Sequence, residues 1–270
     1  MTVPAYREAM TPKSTMALAP GLEVFFRNAG ETHALHHEIF IEKCYEGACA
    51  GLSFGDVVFD VGANIGLATL FLHRQCPGLQ FYCFEPVPEV AQVMRANFER
   101  FGVNARIVLA ALSDRTGSER FHWYPNNTVM SGLFADCQED RAVSQRYLEN
   151  CGIDRESIDY LLKGKFDTVE IDCETTRLSD VIVRDGIERI DLLKIDVEKS
   201  EMRVLAGIDA EHWPLVRRIA LEVHDVEGAL EAVINTLASH GFSCEVSRSP
   251  LLEGTALHDV LALRKRPFPG

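Results

Sequence analysis

Nowhere in its 270 residues does the chain contain Gly-x-Gly-x-x-Gly, the glycine spacing that lets a backbone wrap a dinucleotide pyrophosphate. Basic charge is scarce as well: 27 Lys and Arg stand against 40 Asp and Glu, giving a net charge of −13 and a pI near 5.2. Nucleic-acid binding rests on neutralising phosphates with Lys and Arg, so no nucleic-acid partner is expected. No apolar stretch approaches the roughly 20 residues of a membrane span, and residues 1–20 have no basic start followed by an apolar run. Neither a membrane partner nor a secretory route is indicated, and a cytoplasmic location is expected. The eight cysteines sit singly with no C-x-x-C pair, Cys83 within an apolar strand and Cys76 at a helix end, which favours free thiols over a disulfide framework. There is no internal repeat and no low-complexity tract.

At 47% hydrophobic residues and a mean hydropathy of −0.02, the chain is long enough for one large α/β domain. Residues 1–52 read as an N-terminal extension that covers the site, loose up to residue 22 (Pro4, Pro12, Thr15, Pro20) and then a short hairpin from Glu23. Within it, 36–49 carries His36, His37, Glu38 and Tyr45, residue types able to line a pocket. Residues 53–270 read as the main domain. Strands are expected at 57–61, 81–84, 105–110, 191–196 and 219–223, with helices at 67–74, 88–101, after Ser200 and at 226–240. Two closing strands, 243–247 and 260–264, are separated by one loop and suggest an antiparallel hairpin at the sheet edge. Strands at 120–124 and 168–175 frame a polar insert, 135–165, that reads as a lid or substrate wall, so the lid-like region spans about 120–175.

The most informative stretch is Asp60-Val61-Gly62-Ala63-Asn64-Ile65-Gly66, where an apolar strand runs into a glycine loop that opens a helix. Glycines let a backbone approach a ligand closely, and a helix N-terminus offers unpaired N–H groups. The second strand ends in Glu85, nineteen positions past Gly66, about where doubly wound folds place an acid for ribose hydroxyls. A ribose-bearing cofactor without a pyrophosphate satisfies both facts, which points to S-adenosyl-L-methionine and away from NAD.

Several further strings follow in order: Phe84-Glu85-Pro86, Ala111-Leu112-Ser113-Asp114, Leu178-Ser179-Asp180, Leu192-Leu193-Lys194-Ile195-Asp196-Val197-Glu198 and Glu222-Val223-His224. Together with the Asp60 loop they resemble the FkbM family of class I methyltransferases, from about Glu23 to the C-terminus. Lys199-Ser200, where many members carry Gly-Ala or Gly-Ser, and Met130-Ser131-Gly132 look like the branch that O-methylates polyketide or peptide natural products. The resemblance implies a Rossmann-like, mostly parallel seven-stranded sheet with an antiparallel last strand and helices on both faces.

By the same resemblance, Asp60, Gly62, Asn64, Gly66, Glu85, Pro86, Ser113, Asp114 and Asp196 hold the cofactor. Glu85 accepts from the ribose hydroxyls, Asn64 contacts the methionine carboxylate, Asp60 orients the loop or meets the ammonium, and Ser113 and Asp114 take the adenine edge. Asp114 could instead merely begin a turn. Asp196, Glu198, Glu222 and His224 fall at the carboxyl ends of adjacent strands, where open α/β sheets put their chemistry. His224, Asp196 and Glu198 are the catalytic candidates, with His224 the proton acceptor because it titrates near neutrality, unless it is a satisfied structural histidine. Tyr45, Met130, Ser131 and Glu222 are expected to line the acceptor.

Asp196, Glu198, Glu222 and His224 could also hold Mg²⁺, but no spacing demands it, and no metal ligand is assigned. The expected partner is a small secondary metabolite, free or tethered to a carrier protein, and a homodimer is left open. N- or C-methylation and a non-catalytic cofactor-binding protein remain as alternatives. Three decoys fail on context: Gly51-Leu52-Ser53-Phe54-Gly55 precedes a strand, unlike a nucleophile elbow; His37-Glu38 has no second histidine; and Asn126-Asn127-Thr128 is a sequon without a secretory route.

Overall fold

A computed structural model describes residues 14–265. It begins with a hairpin, β1 (Thr15–Ala19) and β2 (Leu22–Phe25), earlier than expected. Pro20, read from sequence as part of a loose start, and Gly21 are its turn, with Gly21 at φ 72°. The Asn28 side chain caps α1 (Ala29–His36), which continues into a π-helical turn, His37–Ile41, and then a short α2 (Glu46–Cys49). Expectations for Pro4 and Pro12 lie outside the described residues.

Alternating units follow: β3 (Val57–Val61), α3 (Leu67–Gln75), β4 (Gln80–Phe84), α4 (Pro88–Phe101) and β5 (Ala105–Val108). Next come β6 (Ala111–Leu112), β7 (Gly117–Trp123), α5 (Cys137–Asn150), α6 (Arg155–Leu161) and β8 (Val169–Thr176). The chain closes with α7 (Leu178–Asp185), β9 (Leu192–Ile195), α8 (Glu201–Ala206), β10 (Arg218–His224), α9 (Ala229–Ser239), β11 (Phe242–Ser247) and β12 (Leu257–Arg264). Helix α4 stops at Gly102 in the left-handed region, as its sequence predicts. Helix α9 starts three residues later than its apolar spacing suggests, because Glu227 and Gly228 both take positive φ and cannot continue a helix.

The main sheet has seven strands in the order β11-β12-β10-β9-β3-β4-β5. All neighbours from β10 to β5 are parallel, whereas β12 runs antiparallel to both β10 and β11. The fold is thus the Rossmann-like class expected, with the reversed strand inserted one place in from the edge. Strand β3 shows why the strands read as unbroken apolar runs: Val58 packs on one face with Phe71 and Phe81, while Phe59 packs on the other with Phe84 and Leu193. Helices cover both faces, so no residue on the strand can be polar without a partner. Strands β7 and β8 pair antiparallel, and with β6 they form a separate three-stranded sheet carrying α5 and α6 between them.

The strand order reverses between β3 and β9, and open α/β sheets bind ligands at the carboxyl ends beside such a switch point. One buried side chain fastens the N-terminal hairpin to this edge. Asn97 on α4 accepts from Phe25 N–H at 2.7 Å and donates to the carbonyls of Phe25 (3.1 Å) and Ile65 (2.9 Å). Replacing Asn97 by Ala strands these buried groups, and urea unfolding is expected to show a loss of about 3 kcal/mol. A change under about 0.5 kcal/mol would show that the hairpin is not anchored there.

Candidate active site

Strands β3 and β9 place Asp60 directly opposite Lys194. The Lys194 ammonium is buried, 3.0 Å from Asp60 Oδ1 and 3.3 Å from Asp196, and it donates to the Gly62 carbonyl at 2.9 Å. Burial alone would lower its pKa, but the carboxylates of Asp196 and Asp60 more than offset this and hold it well above the ordinary lysine range. The other Asp60 oxygen accepts from Thr69 Oγ1 on α3 at 2.6 Å. The glycine loop is therefore fixed from beneath. It is also tight: Gly62 has φ 73°, and a Cβ there would stand 1.8 Å from the Asp196 carbonyl oxygen.

Glu85, at the end of β4, is buried and accepts from the backbone N–H of Asn64 (3.1 Å) and Val87 (2.9 Å). Burial raises its pKa to about 7 despite those two donors. A carboxylate has lone pairs beyond these two, so it can still accept from a pair of ligand hydroxyls. Asn64 sits at φ 49°, and its side-chain amide donates to Thr128 Oγ1 at 2.9 Å. Glu31 on α1 in turn accepts from Thr128 N–H at 2.7 Å, which ties the N-terminal segment to the loop.

Above these strand ends lies a cavity of about 600 Å³, within the range for sites of small organic ligands, about 300–1,000 Å³. It extends from Glu85 on β4 across Gly62 to Asp196 and Glu222 on β9 and β10, roughly 14 Å at about 4.8 Å per strand. Ala110, Ala111 and Leu112 line it beside Glu85, and α5 supplies a wall from Val143, Tyr147 and Leu148. Met130, Ser131 and Tyr45 also reach it. Its far end is acidic: Glu38, Glu42, Asp196, Glu198 and Glu222 all border it. The π-helical turn aims Glu38 inward, as such one-turn insertions do at functional sites. Burial, with repulsion from Asp196, Asp259 and Glu42, raises the Glu38 pKa to about 8, against a small lowering by Lys194.

A model of the methyltransferase FkbM domain matches residues 60–244. A relative named 31-O-demethyl-FK506 methyltransferase FkbM, from Streptomyces tacrolimicus, is 44% identical over 251 residues, 93% of this chain and 96% of that one. The AMB antimetabolite synthetase AmbE of Pseudomonas aeruginosa is 36% identical over 260 residues, 92% of this chain but 12% of that much longer protein. Among solved structures, a methyltransferase FkbM from Methylobacillus flagellatus KT matches with a TM-score of 0.53 at 13% identity, covering 81% of this chain and 46% of that one, a likeness of fold. The chain belongs to the FkbM methyltransferase family. It is a methyltransferase, and the cavity at its sheet edge is the candidate active site.

Against that site, the FkbM-type residues read from sequence divide into those that border the cavity and those that do not. Gly62, Asn64, Glu85, Pro86, Asp196 and Glu198 border it, as do Tyr45, Met130, Ser131 and Glu222. Asp60 does not: it is turned inward to Lys194 and Thr69 and supports the loop from below. Gly66 is likewise required by packing, since its Cβ would meet Phe98 at 2.5 Å. Ser113 and Asp114, expected at the adenine edge, do not border the cavity. Ser113 is buried away from the cavity, and Asp114 is held by Arg203 at 2.6 Å, which keeps its carboxyl below the usual range. Asp114 falls in the bend that leads into β7, and the strand end beside Glu85 is apolar. His36 stacks on Phe40 and His37 is half exposed, so neither borders the cavity.

His224 is poorly placed to act as the proton acceptor. Its Nδ1 lies 3.0 Å from Glu201 and its Nε2 2.9 Å from Glu198, both carboxylates buried with it. Burial alone would lower its pKa, but Glu198 and Glu201 raise it to about 11, so the ring is already protonated at neutral pH. Sequence reading missed Lys194, Glu201 and Thr128, the last set aside as part of a sequon. Lys194 carried one available signal, a charge inside an otherwise apolar strand.

Replacing Lys194 by Met leaves Asp60 buried without a cation, and chemical denaturation is expected to show a loss of about 3–5 kcal/mol. The double variant Asp60→Asn, Lys194→Met should regain part of it. If Lys194→Met alone is as stable as the wild type, the pair does not support the loop.

Proposed function

We propose that the protein is an S-adenosylmethionine-dependent O-methyltransferase acting on a hydroxyl of a bulky, largely apolar secondary metabolite of polyketide or peptide type. The observation that carries this reading is the form of the cavity, which has a ribose-type acceptor, Glu85, at one end, an apolar α5 wall, and a carboxylate cluster at the other end. The residues fit the methyl donor. Glu85 has spare lone pairs for ribose hydroxyls, Gly62 leaves room that a Cβ would fill, and Ala110, Ala111 and Leu112 offer an apolar surface for a purine. Asn64 and Asp196 take the carboxylate and ammonium of the methionine end. S-adenosylmethionine supplies an electrophilic methyl group with a neutral leaving sulfide. The Streptomyces relative is named for O-methylation of a natural product, which supports the choice of acceptor class.

Methyl transfer to oxygen is an in-line displacement in which positioning supplies much of the rate. The hydroxyl oxygen forms its bond to carbon as it loses a proton, and Glu38 is the acceptor for that proton. Glu38 borders the acceptor end, whereas Asp196 is engaged by Lys194 and Glu198 by His224. The acid end also discriminates by charge. A neutral alcohol enters it, while a phosphate or carboxylate acceptor meets five acidic side chains, Glu38, Glu42, Asp196, Glu198 and Glu222.

Calorimetric titration of S-adenosylhomocysteine into the wild type and Glu85→Ala tests the donor assignment. Binding that is about 10- to 100-fold weaker in the variant is expected from the loss of hydrogen bonds to a charged group. No binding by the wild type would overturn the reading. Against an accepted hydroxyl substrate, Glu38→Gln should lower kcat by about 10²- to 10⁴-fold with little change in cofactor affinity. Glu38 accepts a proton only when ionised, so the wild-type rate is expected to climb with pH and level off above about 8. The facing groups that set this limb are Asp196, Asp259, Glu42 and Lys194. A Glu38→Gln enzyme that keeps the same limb and rate would remove Glu38 from the mechanism.

A further inference from the structure

We infer that Glu198, Glu222 and His224 form a binding site for a first-row divalent cation at the acid end of the cavity. Each offers one ligand atom, and the three atoms lie within 4.8 Å of one another. Glu222 and His224 alternate on β10, and Glu198 comes from the loop after β9, the next strand in the sheet. Three ligands are therefore delivered by strand β10 and by the loop that follows its sheet neighbour.

Two observations point to a cation beyond mere proximity of acids. The first is a pair of orphaned atoms. His224 Nε2 and Glu198 Oε2 are both shut off from solvent on side chains 4% and 8% exposed, and apart from their mutual ion pair neither has a partner in hydrogen-bond geometry. They face each other at 2.9 Å. That is the separation of two ligands in adjacent positions around one ion, about 3 Å for metal–ligand distances near 2.1 Å. The second is Glu201, a buried carboxylate 3.0 Å from His224 Nδ1. A carboxylate on the far ring nitrogen fixes Nδ1–H and directs the Nε2 lone pair at the ion, the usual support of a metal-bound histidine. The proton that Nε2 otherwise carries leaves when the ion enters.

One imidazole and two carboxylates suit Mn²⁺, Fe²⁺ or Co²⁺ better than Mg²⁺, which prefers an all-oxygen shell. Glu198 and Glu222 border the cavity, so an ion held by them meets whatever occupies the acceptor end. An acceptor hydroxyl bound to it would ionise more easily. That consequence rests on the function proposed above, but cation binding itself does not.

The test needs neither donor nor acceptor. The full chain is stripped with EDTA, exchanged into chelator-free buffer, and titrated with Mn²⁺ while the free-ion electron paramagnetic resonance signal is followed. One equivalent should bind to the wild type. Glu222→Gln and His224→Gln should each weaken it at least 10-fold, and Glu201→Gln about 10- to 100-fold. Asp172→Asn, an exposed acid on β8, should leave it unchanged and so exclude adventitious binding to a protein of charge −13. Mn²⁺ should also raise the melting temperature of the wild type but not of Glu222→Gln. Should His224→Gln fail to fold, Glu222→Gln decides the matter, since that side chain is only partly buried and the substitution keeps its size. No stoichiometric binding by the wild type, or equal binding by Glu222→Gln, overturns the inference whether or not the protein methylates.

Discussion

The active-site edge depends on one buried ammonium. Lys194 stands between the carboxylates of Asp60 and Asp196 and donates to the Gly62 carbonyl, so a single side chain joins the two strands that flank the topological switch point to the loop that bends over them. A charge in the middle of a sheet is costly to desolvate, and it persists only where its partners are fixed. The fixing comes from register: Asp60 and Lys194 are cross-strand neighbours, and Thr69 on α3 holds the second Asp60 oxygen. Remove the cation and Gly62 loses the donor that sets its carbonyl, at a residue where no side chain fits. The loop geometry is thus a consequence of the sheet, not of the loop sequence alone.

The same logic extends outward in two directions. Toward β4, Glu85 collects the Asn64 and Val87 amides, and Asn64 reaches Thr128, which Glu31 holds from α1. Toward α5, Lys199 pairs with Glu139 and with the buried Asp140, and Asp140 accepts from the Tyr124 hydroxyl at 2.9 Å. Lys199 has φ 63°, a conformation that favours glycine. The strain is tolerated because the side chain that replaces hydrogen there anchors the wall of the cavity. A glycine at this position would relax the backbone but leave α5 without its ionic tie to the sheet edge.

Sequence legibility followed the range over which each signal acts. Strand β3, helix α4 and the Gly102 stop were readable because apolar spacing and glycine punctuation are local. The seven-stranded, mostly parallel sheet with a reversed last strand followed from the family resemblance together with the paired closing strands. The roles of individual side chains were less legible, because they depend on contacts between distant segments. His224 looked like a base by its ordinary titration, and only the meeting of Glu198 and Glu201 around it reverses that. Asp114 looked like a cofactor ligand by its place in a motif, but Arg203, 89 positions away, claims it. Thr128 was hidden inside a sequon, and its partners Glu31 and Asn64 are 97 and 64 positions distant.

The distribution of charge along the cavity ties fold to chemistry. Two lysines border it, Lys165 facing Glu31 and Lys194 already shared between Asp60 and Asp196, while Glu38, Glu42, Glu198 and Glu222 add negative charge at the acid end. An apolar wall from α5 lowers the local dielectric and strengthens that field. Such a field favours a cationic ligand and opposes an anionic one, and it raises the cost of leaving every carboxylate ionised. Something must relieve it. Burial and mutual repulsion push the pKa values of Glu38 and Glu222 upward, which favours their neutral forms and eases that ionisation cost, and the His224 imidazolium offsets Glu198. In the function proposed above, a positively charged methyl donor reaching across Gly62 toward Asp196 would bring compensating charge to the same place. On that proposal its binding is coupled to the protonation of the acid end, and the same negative field that burdens the cavity favours a cationic donor over an anionic ligand.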